Sequence, residues 1–217
     1  MRVEHRLPFW RRYLFSTDHK VIAVQYLLTG VCFLAVGGFM ALLIRWQLAY
    51  PWQPVPIIGK LLFPASDAAI VPVVYPMLFT MHGSIMVFFA ITPILLGSLG
   101  NFVIPLEIGA QDMAFPRLNM LSYWFLVIGS VLMLASLHMP GGGASSGWTV
   151  YAPLSASTEA NPGWGQDLFI LGLAMDAVSI LMGGVNYITT IMQLRAPGLT
   201  LRRLPLRRCG DSSSARS

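Results

Sequence analysis

The sequence predicts an all-α membrane protein: four transmembrane helices with N- and C-termini cytoplasmic. Three observations carry that prediction. Only 11% of the 217 residues are charged, 55% are hydrophobic and the mean hydropathy is +0.65, whereas soluble proteins carry roughly 25% charge. The apolar residues are gathered into four runs, each near the roughly 20 residues that a helix needs to cross a bilayer. Lysine and arginine crowd the two ends, with five in the N-terminal arm and six from Arg195 onward, leaving only Arg45, Lys60 and Arg117 between them. Basic flanks stay on the cytoplasmic side, so both ends belong there, as an even number of spans requires.

Residues 1–20 form a basic arm. Its Arg11–Arg12 pair could open a twin-arginine export signal, but a juxtamembrane cluster is the simpler reading. The first span, about 21–45, is uncharged from Val21 to Ile44. It is too long for a signal-peptide core and lacks a small-residue cleavage site, so it stays in the membrane. Tyr50 to Pro76 is proline-rich ("YPWQPVPIIGK") and belongs at the outer interface. The second span, about 75–99, contains Pro93, which is expected to kink it. Gly100 to Arg117 reads as a compact inner loop and leads to the third span, about 119–138.

Gly141 to Gly165 is an outer loop containing "GGGASSGWTVYAPL". A glycine run can cradle phosphate, but no Gly-Lys-Ser/Thr follows, so a flexible connector is expected. The fourth span, about 168–194, carries one charge, Asp176. Residues 200–217 are basic and serine-rich, and disorder is expected. Within the spans, Gly83, Ala90 and Gly97, and likewise Ser179 and Gly183, recur at helical spacing, a pattern that lets helix backbones approach in lipid. Cys32 lies inside a span and Cys209 in a tail on the reducing side, so no disulfide is expected. Flanking charge and anionic membrane lipid account for the net charge of +5, and no nucleic acid is implied.

The candidate site residues stand out against this apolar background. From Ala68 to Leu106 nothing is charged, and His82 is the only group able to bind a metal. Ionisable groups at membrane depth are costly and mark function by default. Counting about 1.5 Å per residue from Tyr75, His82 sits roughly 10 Å below the outer boundary, within reach of Arg45 at the end of the first span. A planar cofactor with a polar edge outward would engage both, since neutral imidazole ligates haem iron. The competing reading is that His82 donates to a backbone carbonyl across a helix interface. His138 is too shallow to face it across a haem. On the inner side, Asn101, Asp112 and Asn119 gather in one loop, either as a proton entrance or as a solvated acid capping the third helix. Asp176 is held protonated, paired with a neighbouring helix, or set in a polar pathway.

Five stretches, "STDHKVIAVQYLLTG" (16–30), "LLIRWQL" (42–48), "TMHGSIMVFFAITPILLGSLGNFVIPLEIGAQDMAFPRLNMLSYW" (80–124), "GWTVYAPL" (147–154) and "NYITTIMQLRAPGLTLRRLPL" (186–206), closely resemble subunit I of haem–copper oxidases, cytochrome c oxidase type. The resemblance runs over about residues 13–206. It implies the first four helices of a roughly twelve-helix subunit that reduces oxygen to water and pumps protons. By resemblance His82 is an axial ligand of the low-spin haem, haem a in this branch. Arg45 matches the arginine at that haem's formyl edge, and Tyr75, Met86 and Trp148 line its pocket. Asp112 matches the mouth of a proton-uptake pathway, with Asn101 and Asn119 as neighbours.

The implied partners are the remainder of subunit I, other oxidase subunits and cytochrome c as donor. The implied place is the bacterial inner membrane rather than the mitochondrial one. Where the family reads like "HLAGVSSILGAINF", this chain has "AMDAVSILMGGVNY", and His138 has no counterpart. The second haem, the copper and their histidine ligands belong to later helices of the family. A frameshifted or truncated gene, or a fragment, is therefore expected. A non-enzymatic four-helix membrane or haem-binding protein is the alternative.

Overall fold

The computed structural model describes residues 9–63, 66–159, 161 and 163–199. The arm before residue 9 and the tail from 200, with the disorder expected there, lie outside the described residues. Among the described residues there is no β-strand, only an isolated antiparallel bridge between Pro54 and Ala69. Four helices are long and apolar enough to cross a membrane: α1 His19–Ala49, α2 Val74–Ile108, α3 Pro116–Leu137 and α4 Gly165–Gln193. Much of their apolar surface, including Leu28, Leu42, Phe79, Val131 and Leu181, points outward. In water such exposure would be unfavourable; in lipid it is the surface the solvent matches. Short helices at Phe9–Tyr13 and Gly59–Leu62 and a 3₁₀ turn at Leu154–Ala156 lie in the flanking segments.

Pro93 lies in an irregular stretch of α2. The helix widens into π-helical turns over Ile85–Ile91 and Pro93–Gly100, where hydrogen bonds reach back five residues, as from Thr92 N–H to the Val87 carbonyl. Proline has no N–H to give the normal ladder, and a wider turn re-registers the carbonyls around the gap. The helix continues past residue 99, where the span was expected to end. It runs through Pro105 to Ile108, and Gly109 (φ 72°) closes it. Gly109 N–H reaches Leu106 O and Ala110 N–H reaches Pro105 O at 2.9 Å, the pairing of a Schellman stop. Asn101 is therefore a helix residue rather than part of an inner loop.

The chain divides into two compact units. The first takes the described parts of Met1–Leu27, Ile94–Trp124 and Val178–Ser217; the second takes Leu28–Pro93 and Phe125–Ala177. Their interiors differ chemically. In the second the largest fully buried side chains are apolar, among them Phe89, Phe169, Met81, Ile85 and Met133. In the first they are Ile22, Asn101, Asn119, Asn186 and Thr190.

Of the small residues expected at close helix approaches, Gly97 stands at one, since a Cβ there would come 2.6 Å from Tyr26 Cγ, whereas nothing lies within 4 Å of a Cβ added at Gly83 or Gly183. A reciprocal contact joins α3 and α4 in the second unit. A Cβ at Gly129 would stand 2.8 Å from Gly172 O, and one at Gly172 would stand 3.0 Å from Gly129 O.

Candidate functional site

In the second unit His82 projects from the first third of α2, and its Nδ1 lies 2.9 Å from the carbonyl oxygen of Gly37 on α1. A carbonyl can only accept, so Nδ1 carries the proton and Nε2 keeps its lone pair. A carbonyl partner for one ring nitrogen is the arrangement that orients a ligating histidine. The two readings of His82 are thus compatible: one nitrogen serves the helix interface and the other is left for a ligand. Gly37 makes the approach possible, because a Cβ there would come 2.6 Å from Met86 Sδ.

His82 also lines a cavity of about 450 Å³, together with Phe79, Thr80, Gly83 and Val87 from α2 and Gly147 and Trp148 from the loop between α3 and α4. Trp148 is mostly exposed and its ring lies 5.8 Å from that of Phe88. The structure thus brings His82 and Trp148 together, with Met86 packed behind Gly37. Arg45 is exposed and Tyr75 half-buried, and neither lines the cavity.

The loop from Gly141 to Gly165 is not the free connector expected. Gly143 N–H points to Met77 Sδ at 3.0 Å, and Gly147 N–H donates to Thr80 Oγ1 at 3.1 Å. Ser146 Oγ bonds Gln166 Oε1 at 3.0 Å, and Ala144 is fully buried.

In the first unit Asp112 sits in the turn after α2 and accepts from His19 Nδ1 at 3.1 Å and from Met113 N–H at 2.7 Å. Its carboxylate is 41% exposed, whereas the His19 side chain is only 5% exposed. By sequence alone His19 is one more residue of the arm. Its Nε2 is buried without a partner. Asp112 does not cap α3: the N–H of Phe115, at the entry to α3, is taken by Asn186 Oδ1 from α4 at 2.9 Å. Thr190 Oγ1 accepts the N–H of Ala114 at 2.9 Å.

Neither Asn101 nor Asn119 bonds Asp112. Both are 1% exposed inside the unit. Asn101 Nδ2 donates to Gly97 O at 2.6 Å while its Oδ1 is unpartnered, and both polar atoms of Asn119 are unpartnered. Tyr26 Oη lies 2.9 Å from Ser122 Oγ and 3.4 Å from Ser179 Oγ. Ser122 Oγ in turn donates to Asn119 O at 2.7 Å. Sequence reasoning misses the part that Tyr26, Ser122, Ser179 and Asn186 play in this interior. A signal exists for some of them: Ser179, Asn186 and Thr190 fall seven and four residues apart, on one helical face.

The sequence pattern described as Cytochrome C and Quinol oxidase polypeptide I matches residues 21–208. The chain belongs to that family. Among curated members, it is 44% identical over 198 residues to the probable cytochrome c oxidase subunit 1-beta of Nocardia farcinica, an alignment covering 91% of this chain and 31% of the relative. It is 41% identical over 211 residues to the probable cytochrome c oxidase subunit 1-alpha of Streptomyces avermitilis, covering 94% and 34%. With the alternative cytochrome c oxidase subunit 1 of Bradyrhizobium diazoefficiens it shares 40% over 204 residues, covering 93% and 32%. The chain spans about a third of the length of the curated relatives it matches.

Asp176 is 2% exposed on α4, one turn beyond Gly172 at the close contact with α3. His138 is exposed just past α3, with Nδ1 3.0 Å from its own helix at Leu134 O. Among the described residues no three His, Cys, Asp or Glu side chains are grouped to hold a metal ion.

Proposed function

We propose that this chain is the N-terminal third of a terminal oxidase subunit I of the bacterial inner membrane. In that role it contributes one axial ligand of the low-spin haem and the entrance of the proton-uptake path. The whole protein would pass electrons, with cytochrome c as donor, to oxygen while pumping protons, and would assemble with the rest of subunit I and other oxidase subunits. The single observation that carries the reading is the His82–Gly37 hydrogen bond. It fixes the tautomer whose Nε2 can ligate iron, beside an apolar cavity that would hold a flat ring against Trp148.

The donor set fits a haem, and the resemblance to the cytochrome c oxidase branch points to the a type. His82 Nε2 would hold the iron, Trp148 and Met86 would contact the ring, and Arg45 and Tyr75 would meet its outer edge. A haem bound there supplies one-electron transfer at its iron. The protein's part is to exclude water with Phe79 and Val87 and to keep His82 Nδ1–H on Gly37 O. No residue of this chain is assigned to the second haem or the copper.

In the first unit, Asp112 is the exposed acceptor that collects protons, and His19 Nδ1–H holds its carboxylate. Buried amides without protein partners are where ordered water is retained. Asn101, Asn119 and Asn186 supply such groups, and Tyr26, Ser122 and Ser179 supply hydroxyls that can both give and take a proton. Chains of that kind in membranes carry protons.

The test is haemin titration of the purified chain in detergent, read by absorbance. His82→Ala should abolish a saturable shift of the haemin absorption band and His138→Ala should leave it intact. Binding is expected to be weak and no more than one haem per chain, because one axial ligand is present where the family uses two. A saturable shift indifferent to His82→Ala would refute the assignment.

A further inference from the structure

The loop that carries Trp148 over the His82 cavity is joined to α2 through two main-chain donors, whose acceptors stand three residues apart on one helical face. Gly143 N–H meets Met77 Sδ and Gly147 N–H meets Thr80 Oγ1 at 3.1 Å. A thioether is a weak acceptor and a hydroxyl a good one, so the stronger link is Thr80, which is 3% exposed. The loop's side-chain bonds run elsewhere, from Ser145 to Asn161 and from Ser146 to Gln166, and tie it toward α4. Trp148 itself is 58% exposed, so its indole takes its place from the backbone before it. Gly147, at φ 80°, holds a conformation that glycine adopts without strain, and it points the chain at Thr80 and then turns it over the cavity. Thr80 stands two residues before His82 on the same helix, and Thr80, His82, Gly147 and Trp148 line one cavity.

We propose that Thr80 is a positioning residue: its hydroxyl anchors the Gly147 N–H, holds Trp148 across the cavity from His82, and so sets how tightly a flat, apolar iron porphyrin is gripped. The anchoring half stands on the geometry alone; the porphyrin half rests on the haem reading above. Thr80→Val keeps the shape and removes the acceptor, Thr80→Ala removes it without the branch, and Thr80→Ser keeps it. Two quantities are measured on the full chain in detergent. One is amide hydrogen exchange at residues 143–148. The other is haemin affinity from quenching of Trp148 emission, isolated by subtracting a Trp148→Phe chain.

A part-buried N–H without its acceptor is expected to speed exchange at Gly147 in the Val and Ala variants. Haemin binding should weaken about tenfold, the effect of one lost hydrogen bond. Thr80→Ser should behave as wild type in both, which a general packing defect would not allow. Unchanged exchange in both hydroxyl-less variants overturns the proposal. So does faster exchange with unchanged haemin affinity. If the wild-type chain binds no haemin, the haem reading falls, and the exchange comparison still decides the anchor.

Discussion

Replacing Gly97 by alanine should unsettle the polar interior of the first unit. A Cβ at Gly97 would fall against the ring of Tyr26, 2.6 Å from Cγ and 2.8 Å from Cε1, far inside ordinary contact. The ring has little room to retreat. Tyr26 is 5% exposed, and its other side meets Tyr123 edge-on at 5.2 Å. A change of χ1 or a sideways displacement of the ring pulls its hydroxyl from Ser122 and Ser179. Overpacking of this kind costs about 1–3 kcal/mol, and a lost hydroxyl bond adds about 0.5–1.5 kcal/mol. The better helix propensity of alanine returns roughly 1 kcal/mol, leaving a net loss of about 1–3 kcal/mol. The assay is unfolding in mixed micelles by increasing SDS, followed by far-UV circular dichroism, for Gly97→Ala, Tyr26→Ala and the pair. With the ring removed, alanine at 97 should become neutral or slightly stabilising, a coupling that a double-mutant cycle isolates. If Gly97→Ala costs the same with and without Tyr26, the ring is not what Gly97 accommodates and the reasoning is wrong.

Further predictions concern the other contacts. In a complete subunit containing this segment, Asp112→Asn should slow turnover by starving proton uptake while the low-spin haem spectrum stays unchanged; a shifted spectrum with full turnover would make Asp112 structural. Gly129→Ala and Gly172→Ala should each destabilise the chain by about 1–3 kcal/mol, because the new methyl meets a main-chain oxygen that cannot rotate away; thermal unfolding in detergent measures this. The chain alone, given haem, copper and a reductant, should consume no more oxygen than a heat-denatured control. Its histidines are His5, His19, His82 and His138, and a redox copper needs several placed ligands. Turnover above that control, removed by His82→Ala, would contradict this.

The four helices are legible in the sequence because an uncharged run of bilayer length suits lipid and little else, and His82 because it is a lone imidazole in such a run. Asp112 is legible as a residue but not in its company. Its bond to His19 joins positions 93 residues apart, and no local pattern announces such a pair. Asn101 resembles a loop residue because Pro105 and Gly109 look like a boundary. The helix in fact tolerates the proline and stops at the glycine. Gly83 and Gly183 have the right spacing for close packing, yet spacing says nothing of azimuth, and α2 runs through π-helical turns that shift its faces. Gly129 and Gly172 make the reciprocal contact without any repeated motif to mark them. Ser122, Ser179 and Asn186 are hidden by ordinariness, since single hydroxyls and amides in a span acquire meaning only when three helices bring them together.

The acceptor that fixes the tautomer of His82 is a main-chain oxygen, which bears on how the site can evolve. A side-chain acceptor can be erased by one codon change, but no substitution at position 37 deletes its carbonyl. Point mutation there can act only through bulk, by pushing Met86 and separating two helices. Change in the surrounding sequence therefore leaves the proton on Nδ1, and the basicity of Nε2 is set by the backbone geometry rather than by any residue identity. Variants of this chain that differ widely in their side chains can keep the same imidazole electronics, provided position 37 stays small enough for the helices to touch.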